Sequence, residues 1–306
     1  MPVLVIGGSG FIGSVVVRAL SESNVETICY DLIHTNNNGA KNNWIRADIL
    51  ELQSIERIFF EYSVDAIIHL IGLPAIDYCK RNPHFSFLLN VLSVQNALEA
   101  MRMADIPKIV FASSATVYGY HHSRPLGELD ETRPSTLYGS HKLIAEKTIR
   151  AYQENYGIKG VILRLFNVYG GDPKLGKEVI SIFINRALRG EPLLVKGPGQ
   201  FRDYVHISDV GQAFAKAVTS DKANDLTINV GTGTKTTLRQ VAAIVHSCFP
   251  RLKIVEEMSP DDATGWYGDI QVARDVLGFC PRSPEQGIRA HVEKYCNEPQ
   301  IESIIQ

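Results

Sequence analysis

Cysteine is scarce and scattered in this chain. Cys29, Cys79, Cys248, Cys280 and Cys296 form no C-x-x-C pair. That excludes a paired-cysteine zinc site and gives no basis for a disulfide framework, so reduced thiols in a cytoplasmic protein are expected. Charge of one sign is missing too. The 31 basic residues nearly cancel the 33 acidic ones, which leaves no global field to draw in nucleic acid or an anionic membrane surface. No apolar run reaches the roughly 18 residues of a spanning helix, and the chain enters an apolar strand with no basic leader, so neither a membrane span nor export is expected. Repeats, low-complexity tracts and charge blocks are absent as well. What remains is 306 residues, 45% of them hydrophobic, enough to bury a large core and suited to a small-molecule partner.

Up to about residue 170, short β-branched runs alternate with segments of helical period. Strands are read at 2–7, 26–30, 44–47, 66–71, 108–113 and 161–165, and helices at 10–21, 52–62, 85–104 and 138–156. Continuous apolar runs such as Val3-Leu4-Val5-Ile6 and Ala66-Ile67-Ile68 fit strands covered on both faces. The pattern predicts an α/β fold, a Rossmann-type doubly wound parallel sheet. Beyond 170, Gly170, Gly171, Pro173, Gly176, Gly190, Pro192, Gly197, Pro198 and Gly199 break the chain into short elements. A smaller, interleaved substrate-binding region is expected there, at 171–202 and 232–306. The nucleotide-binding part spans 1–170, with 203–231 returning to it through the apolar run at 226–230.

The segment from Val3 to Gly13 reads as strand, glycine turn and helix start, with Gly8, Gly10 and Gly13 in G-x-G-x-x-G spacing. A dinucleotide pyrophosphate must lie against backbone N–H groups, and side chains in the turn would hold it away. Gly7, Phe11 and Ile12 complete that cradle. Asp31 ends the second strand, 18 residues past Gly13, where a carboxylate can hold the ribose hydroxyls of NAD and would repel the phosphate of NADP. Asp48 and Ile49 follow the third strand and could meet the adenine, or simply form a strand-to-helix turn.

Tyr138 and Lys142 stand four apart on a helix and so share a face. A phenol is a poor base at neutral pH, and an ammonium beside it is expected to make it acidic enough to exchange a proton as hydride moves. Ser114, at a strand end within Ser113-Ser114-Ala115-Thr116, would hydrogen-bond the substrate oxygen that alternates between alcohol and carbonyl. Ser113 and Thr116 compete for that role.

Taken in this order, the motifs resemble the extended short-chain dehydrogenase/reductase family, in its NAD-dependent epimerase/dehydratase group, over nearly the whole chain. Ser-Ser-Ala-Thr-Val-Tyr-Gly at 113–119 is most similar to the UDP-hexose 4-epimerases. The 4,6-dehydratases carry an Asp-Glu pair where this chain has Ala115-Thr116, and the decarboxylating branch needs a Glu there. The resemblance implies that Leu70, Ile71 and Gly72 line the cofactor and that Asn90 touches it. It also implies that Asn167 and Arg202 grip a substrate diphosphate and that Trp266 limits the size of the sugar. Ser259 stands where a second diphosphate-binding arginine is common, Pro74 where a lysine near the cofactor is frequent, and Cys79 where serine is frequent. Arg202 could instead form a surface ion pair.

The expected function is therefore NAD-dependent epimerisation of a nucleotide sugar, a UDP-hexose, through a 4-keto sugar. A dehydrogenase with net redox and a non-catalytic nucleotide-binding scaffold are the alternatives. No metal is expected. A homodimer through the helices at 85–104 and 138–156 is expected by resemblance, although those helices could equally pack within one subunit.

Overall fold

A computed structural model describes residues 2–33, 43–119, 124–176, 178–260 and 262–296. Asp261 and positions 297–306 of the expected substrate region lie outside the described residues. Seven parallel strands form the central sheet, ordered β11-β6-β5-β4-β1-β2-β3. They are β1 (Val3–Ile6), β2 (Thr27–Asp31), β3 (Asn43–Arg46), β4 (Ala66–His69), β5 (Lys108–Ser114), β6 (Lys159–Leu165) and β11 (Thr227–Val230). α1 (Phe11–Glu22) links β1 to β2, before β4 comes α2 (Leu52–Glu61), and α6 (Leu137–Tyr156) links β5 to β6. Chain order reverses at β1, so the strand ends of β1 and β4 flank the crevice where such sheets bind ligands.

Period-two alternation divides the strands between two cores. Val3, Val5, Ala66, Ile68, Val110 and Val161 pack under α1 and α8 (Ile207–Thr219). On the other face, Leu4, Ile6, Ile67, Ile109, Phe111 and Ile162 pack under α2, α6 and α5 (Ser93–Met103). Each fully buried Ile or Leu contributes about 1.5–3 kcal/mol of burial free energy.

The helix expected at 85–104 begins at Pro83 and runs to Met103 with a change of winding inside it. The short helix α3 (Ile76–Arg81) precedes it, and α4 (Pro83–Phe87), with Pro83 in its first turn, is its opening stretch. Residues Leu88–Leu92 then make a single π-helical turn before α5 begins. The wider turn carries Asn90 into the interior, fully buried.

The remaining elements are short. β7 (Asn167–Tyr169) pairs with β10 (Tyr204–His206), β8 (Leu193–Lys196) with β13 (Ile254–Glu257), and β9 (Phe201–Arg202) with both β12 (Thr236–Thr237) and β14 (Gly265–Trp266). They pack with α7 (Val179–Leu188), α9 (Leu238–Cys248) and α11 (Pro284–Cys296), whereas α10 (Gln271–Leu277) packs on β11 and α8 of the main sheet. A separate core of Ile180, Phe183, Ile184, Val241, Val245, Ile288 and Val292 holds most of this region together. No helix among the described residues is long and apolar enough to cross a membrane.

Tyr169, His206, His291 and Tyr295 form a chain of edge-on ring contacts where β7 and β10 meet α11. Burial, reinforced by Lys294, pushes His291 down to about 4, and burial with Arg282, His291 and Lys294 does the same to His206. Both rings are therefore neutral in the folded protein, whereas the unfolded chain takes up their protons near 6.5. Their contribution to stability is complete above that pH and is lost as pH falls from 6.5 toward 4. Thermal unfolding followed across this window should show a loss on the order of 3 kcal/mol per histidine, and His291→Phe should flatten the slope. An unchanged slope would refute the assignment.

Candidate active site

The glycine turn after β1 is built by closeness. A Cβ on Gly13 would lie 2.0 Å from the Gly7 carbonyl oxygen and 2.8 Å from backbone atoms of Gly8, and Gly7 itself has φ +88° against the Ile71 backbone. Helix α1 therefore runs against β1 backbone to backbone, which only glycine permits. No side chain caps the helix start at Gly10, which leaves the first-turn N–H groups without a side-chain acceptor. Phe11 is half exposed and lies over Gly171, whose added Cβ would sit 2.5 Å from its ring.

Asp31 stands at the end of β2 and accepts hydrogen bonds from Ser9 N (3.0 Å) and Ile33 N (3.2 Å). The carboxylate thereby ties the glycine turn to the next strand while remaining partly exposed. Asp48 caps its own turn by accepting from Leu50 N at 2.9 Å. Ile49 is buried, and its carbonyl accepts from Asn96 of α5. Both thus have local structural duties at the sheet edge.

Along β4, Leu70, Ile71 and Gly72 follow the strand end. A Cβ on Gly72 would meet both Asn90 Oδ1 and Lys142 Nζ at 2.9 Å, so these three residues converge on one point. Asn90 accepts from Leu73 N (3.0 Å) and donates to Ser86 O (3.0 Å). Cys79 is buried and donates to Leu73 O, while Pro74 beside them is exposed.

Helix α6 is set by its ends: the Thr136 hydroxyl accepts from Gly139 N, and Gly157 closes it in a left-handed conformation, φ +71°. Lys142 is buried, donates to Ala112 O at 2.9 Å, and lies 4.7 Å from the Phe111 ring and 5.9 Å from the Tyr138 ring. Burial pushes Lys142 down to about 8, against the opposing pull of Glu146 and Cys79. Burial likewise pushes Tyr138 up to about 12, with the neighbouring Ser114 hydroxyl pulling the other way. The expected acidic phenol is thus corrected. Lys142 spends its ammonium on the Ala112 carbonyl, and desolvation of Tyr138 dominates.

The competition among hydroxyls resolves structurally. Ser113 is buried and donates to Glu146, so it faces away from Tyr138. Ser114 is partly exposed and accepts from Thr116 Oγ1 at 3.0 Å and Thr116 N at 3.3 Å. Ser114, Thr116 and Tyr138 therefore share one edge of the sheet.

Asn167 begins β7, and its buried Oδ1 has no hydrogen-bond partner. Arg202 and Trp266 sit opposite each other on adjacent strands, with the guanidinium 3.8 Å from the indole centroid. Trp266 packs with Phe166, Ala115 and Val117, next to Ser114. Two residues predicted separately as substrate contacts are thus one stacked unit at the rim. Ser259 O accepts from Asp262 N at 3.1 Å, and the Asp262 side chain accepts from Gly199 N at 2.9 Å, which ties the segment to the loop before β9. Sequence reasoning missed Asp203, which is fully buried and accepts from Thr232 N, Thr232 Oγ1, Gly233 N and Gly268 N. Asp203 lies at the break between β9 and β10, and nothing local in the sequence marks it as buried.

A serine, a tyrosine and a lysine gathered at the C-terminal edge of a parallel sheet, beside a backbone cradle for a dinucleotide, define an enzyme that moves hydride and proton at a hydroxyl-bearing carbon. Residues 3–231 match the model of the NAD dependent epimerase/dehydratase family, and the chain belongs to that family. It is an NAD-dependent enzyme. A Methanocaldococcus jannaschii protein provisionally named UDP-glucose 4-epimerase is 38% identical over 96% of this chain and 97% of its own length. The solved UDP-glucose 4-epimerase of Thermotoga maritima, in complex with UDP-glucose, is 30% identical. It has a TM-score of 0.87 over 96% of this chain and 98% of its own. That of Thermus thermophilus, in complex with NAD, is 29% identical with a TM-score of 0.85, over 97% and 99%.

The glycine turn suits a dinucleotide because a Cβ on Gly13 would occupy backbone space and Gly7 adopts a positive φ that other residues rarely take. Gly13→Ala must push α1 off β1. Purified protein should carry at least about tenfold less bound NAD and be less stable to unfolding by about 2 kcal/mol; full NAD content would refute the cradle.

Proposed function

We infer that this chain is a NAD-dependent epimerase acting at C4 of a UDP-hexose. The observation that carries the reading is the convergence of Ser114, Tyr138 and Lys142 on one strand edge, with Ala115-Thr116 supplying no carboxylate for dehydration. The relatives solved with UDP-glucose and with NAD support the choice of substrate and cofactor.

Bound NAD would supply a hydride acceptor that returns what it takes. Gly7, Gly10, Phe11, Ile12 and Gly13 would hold its pyrophosphate, and Asp31 the adenosine ribose, with Asp48 and Ile49 at the adenine. Leu70, Ile71, Gly72, Asn90 and Lys142 would line its other half. Tyr138 takes the proton from the C4 hydroxyl and later returns it to the carbonyl oxygen of the 4-keto sugar, while hydride adds to the opposite face of C4. Only its phenolate can take that proton, so the neutral phenol that burial favours would first release its own proton to solvent, which the Lys142 ammonium and the positive charge of bound NAD would favour. Lys142 retains its ammonium at neutral pH, where it offsets the phenolate and holds the ribose. Ser114, oriented by Thr116, donates to the carbonyl oxygen that forms.

Substrate grip would fall to the other region. Asn167 brings an amide with an unused acceptor, and Arg202 a guanidinium fork suited to two phosphate oxygens. With Ser259 in place of a second arginine, Arg202 carries that clamp alone. Holding the nucleotide end while leaving the hexose lightly held lets the keto sugar turn over. Trp266 bounds the space available for that turn.

Half-exposed Phe85, Phe87 and Ile144 on α4 and α6 support a homodimer formed through this face, and the five free thiols support a cytoplasmic setting. Net dehydrogenation is disfavoured because the relatives compared above bear the name of an epimerase. With UDP-glucose and purified protein, UDP-galactose should form with no build-up of reduced nicotinamide in solution. Tyr138→Phe should lower kcat about a thousandfold while NAD stays bound. Stoichiometric release of reduced cofactor, or full turnover by the Phe variant, would overturn the reading.

A further inference from the structure

One turn of α6 beyond Lys142 stands Glu146, 4% exposed and facing inward. A buried carboxylate costs several kcal/mol unless it is paired and hydrogen-bonded. Here it is held on three sides. Arg164 of β6 forms a fork with it, Nε to Oε1 at 3.0 Å and Nη2 to Oε2 at 2.7 Å, and Ser113 of β5 donates to Oε1. The fork in turn is fixed by Arg164 Nη1 donating to Glu128 O and by the Tyr118 ring 4.7 Å from the guanidinium. Lys142 reaches Ala112 O on the same strand. Helix α6 is therefore fastened to β5 at Ala112 and Ser113, the two residues before Ser114.

We propose that Glu146 is a positioning residue: it registers α6 against the end of β5, so that Tyr138 and Lys142 meet Ser114, and it holds the proton on Lys142. The inference rests on the reading that Ser114, Tyr138 and Lys142 perform the chemistry. Its geometry is one-sided in a useful way. Glu146 lies behind Lys142 on the helix face, at i+4 from it and i+8 from Tyr138, and its oxygens are bonded to Arg164 and Ser113. It does not touch the edge where substrate would bind.

The groups facing Lys142 decide what its charge depends on. From β4 comes His69, fully buried and lowered to about 3 by burial and by Lys142 itself, so it is neutral throughout the working range. From α3 comes Cys79, from the π-helical turn the neutral Asn90, and from β5 the Phe111 ring and the Ala112 carbonyl. From α6 itself come Tyr138, which is neutral below about 12, and Glu146. Glu146 is therefore the one carboxylate among these groups that favours the ammonium, against burial that disfavours it. Removing its charge lets burial win, and the ammonium is lost at lower pH.

Glu146→Gln keeps the shape and a hydrogen-bonding carbonyl while discarding the charge. Tested as the NAD-loaded protein, it should lower kcat about tenfold or more with KM for UDP-glucose unchanged. The alkaline limb of the kcat/KM profile should move down by about one pH unit. An NMR titration of the Lys142 ammonium in lysine-labelled protein without added substrate should show the same displacement. Glu146→Asp, which restores charge at shorter reach, should return the limb and the titration to their original position but recover kcat only partly. Ser113→Ala should lower kcat a few-fold and leave the limb in place; it decides the positioning claim if the Gln variant does not fold. Wild-type kcat in a folded Glu146→Gln protein, or a loss of kcat with limb and titration unmoved, would overturn the proposal. Tyr138→Phe run alongside separates the two levels: if that variant keeps its turnover, the reading of the site fails, and if it alone is inactive, only the role of Glu146 fails.

Discussion

Everything at the reacting edge depends on keeping one ammonium out of water without losing its proton. A buried lysine is disfavoured by desolvation, and the remedy is a short hydrogen bond, opposite charge nearby, or both. Lys142 has the Ala112 carbonyl at 2.9 Å and aromatic faces of Phe111 and Tyr138 around it. Gly72 leaves room for it, since a Cβ there would meet Nζ at 2.9 Å. Asn90 fills the remaining side from a turn widened by one residue. Strand ends of β4 and β5, the π-helical turn and α6 are thus located relative to one another by a single charge.

The cofactor cradle obeys a different constraint, steric rather than electrostatic. Gly13 and Gly7 bring α1 and β1 together at backbone distance, and Asp31 joins that turn to β2 through Ser9 N. Both constraints act at the same edge of the sheet because parallel strands bring the ends of β1, β2, β4 and β5 there together. The fold contributes by alignment; the glycines and the lysine contribute the chemistry.

Much of this was legible locally. Apolar runs fixed the strands to within a residue or two, and the glycine spacing and the Tyr138–Lys142 interval are short-range patterns whose meaning depends on one turn or one helix face. The unforeseen parts are those set by contacts distant in sequence. Arg202 stacks on Trp266 across two short strands, and Asp203 gathers N–H groups from loops at 232–233 and 268. Helix α3 is too short for periodicity to reveal, and the π-helical turn has no composition of its own. Arg164 did carry a signal that went unread: a guanidinium inside the buried run Val161-Ile162-Leu163-Arg164-Leu165 must have a partner, and extending the Tyr138–Lys142 face by one turn points to Glu146.

The two halves of the molecule differ in how they hold their side chains, and the difference suits an epimerase. The cofactor half uses seven continuous strands and cores on both faces, giving Ser114, Tyr138 and Lys142 fixed positions. The other half presents Arg202 and Trp266 from strands of two residues, tied down through Asp203 and the Asp262–Gly199 contact. Transfer of hydride to and from opposite faces of a sugar requires a rigid proton donor and a sugar that moves relative to it. Rigidity is therefore needed at α6 and β5, whereas at the substrate rim a firm hold on the phosphates is enough. Under the proposed function the stacked arginine would meet that need, since indole packing fixes the plane of its guanidinium.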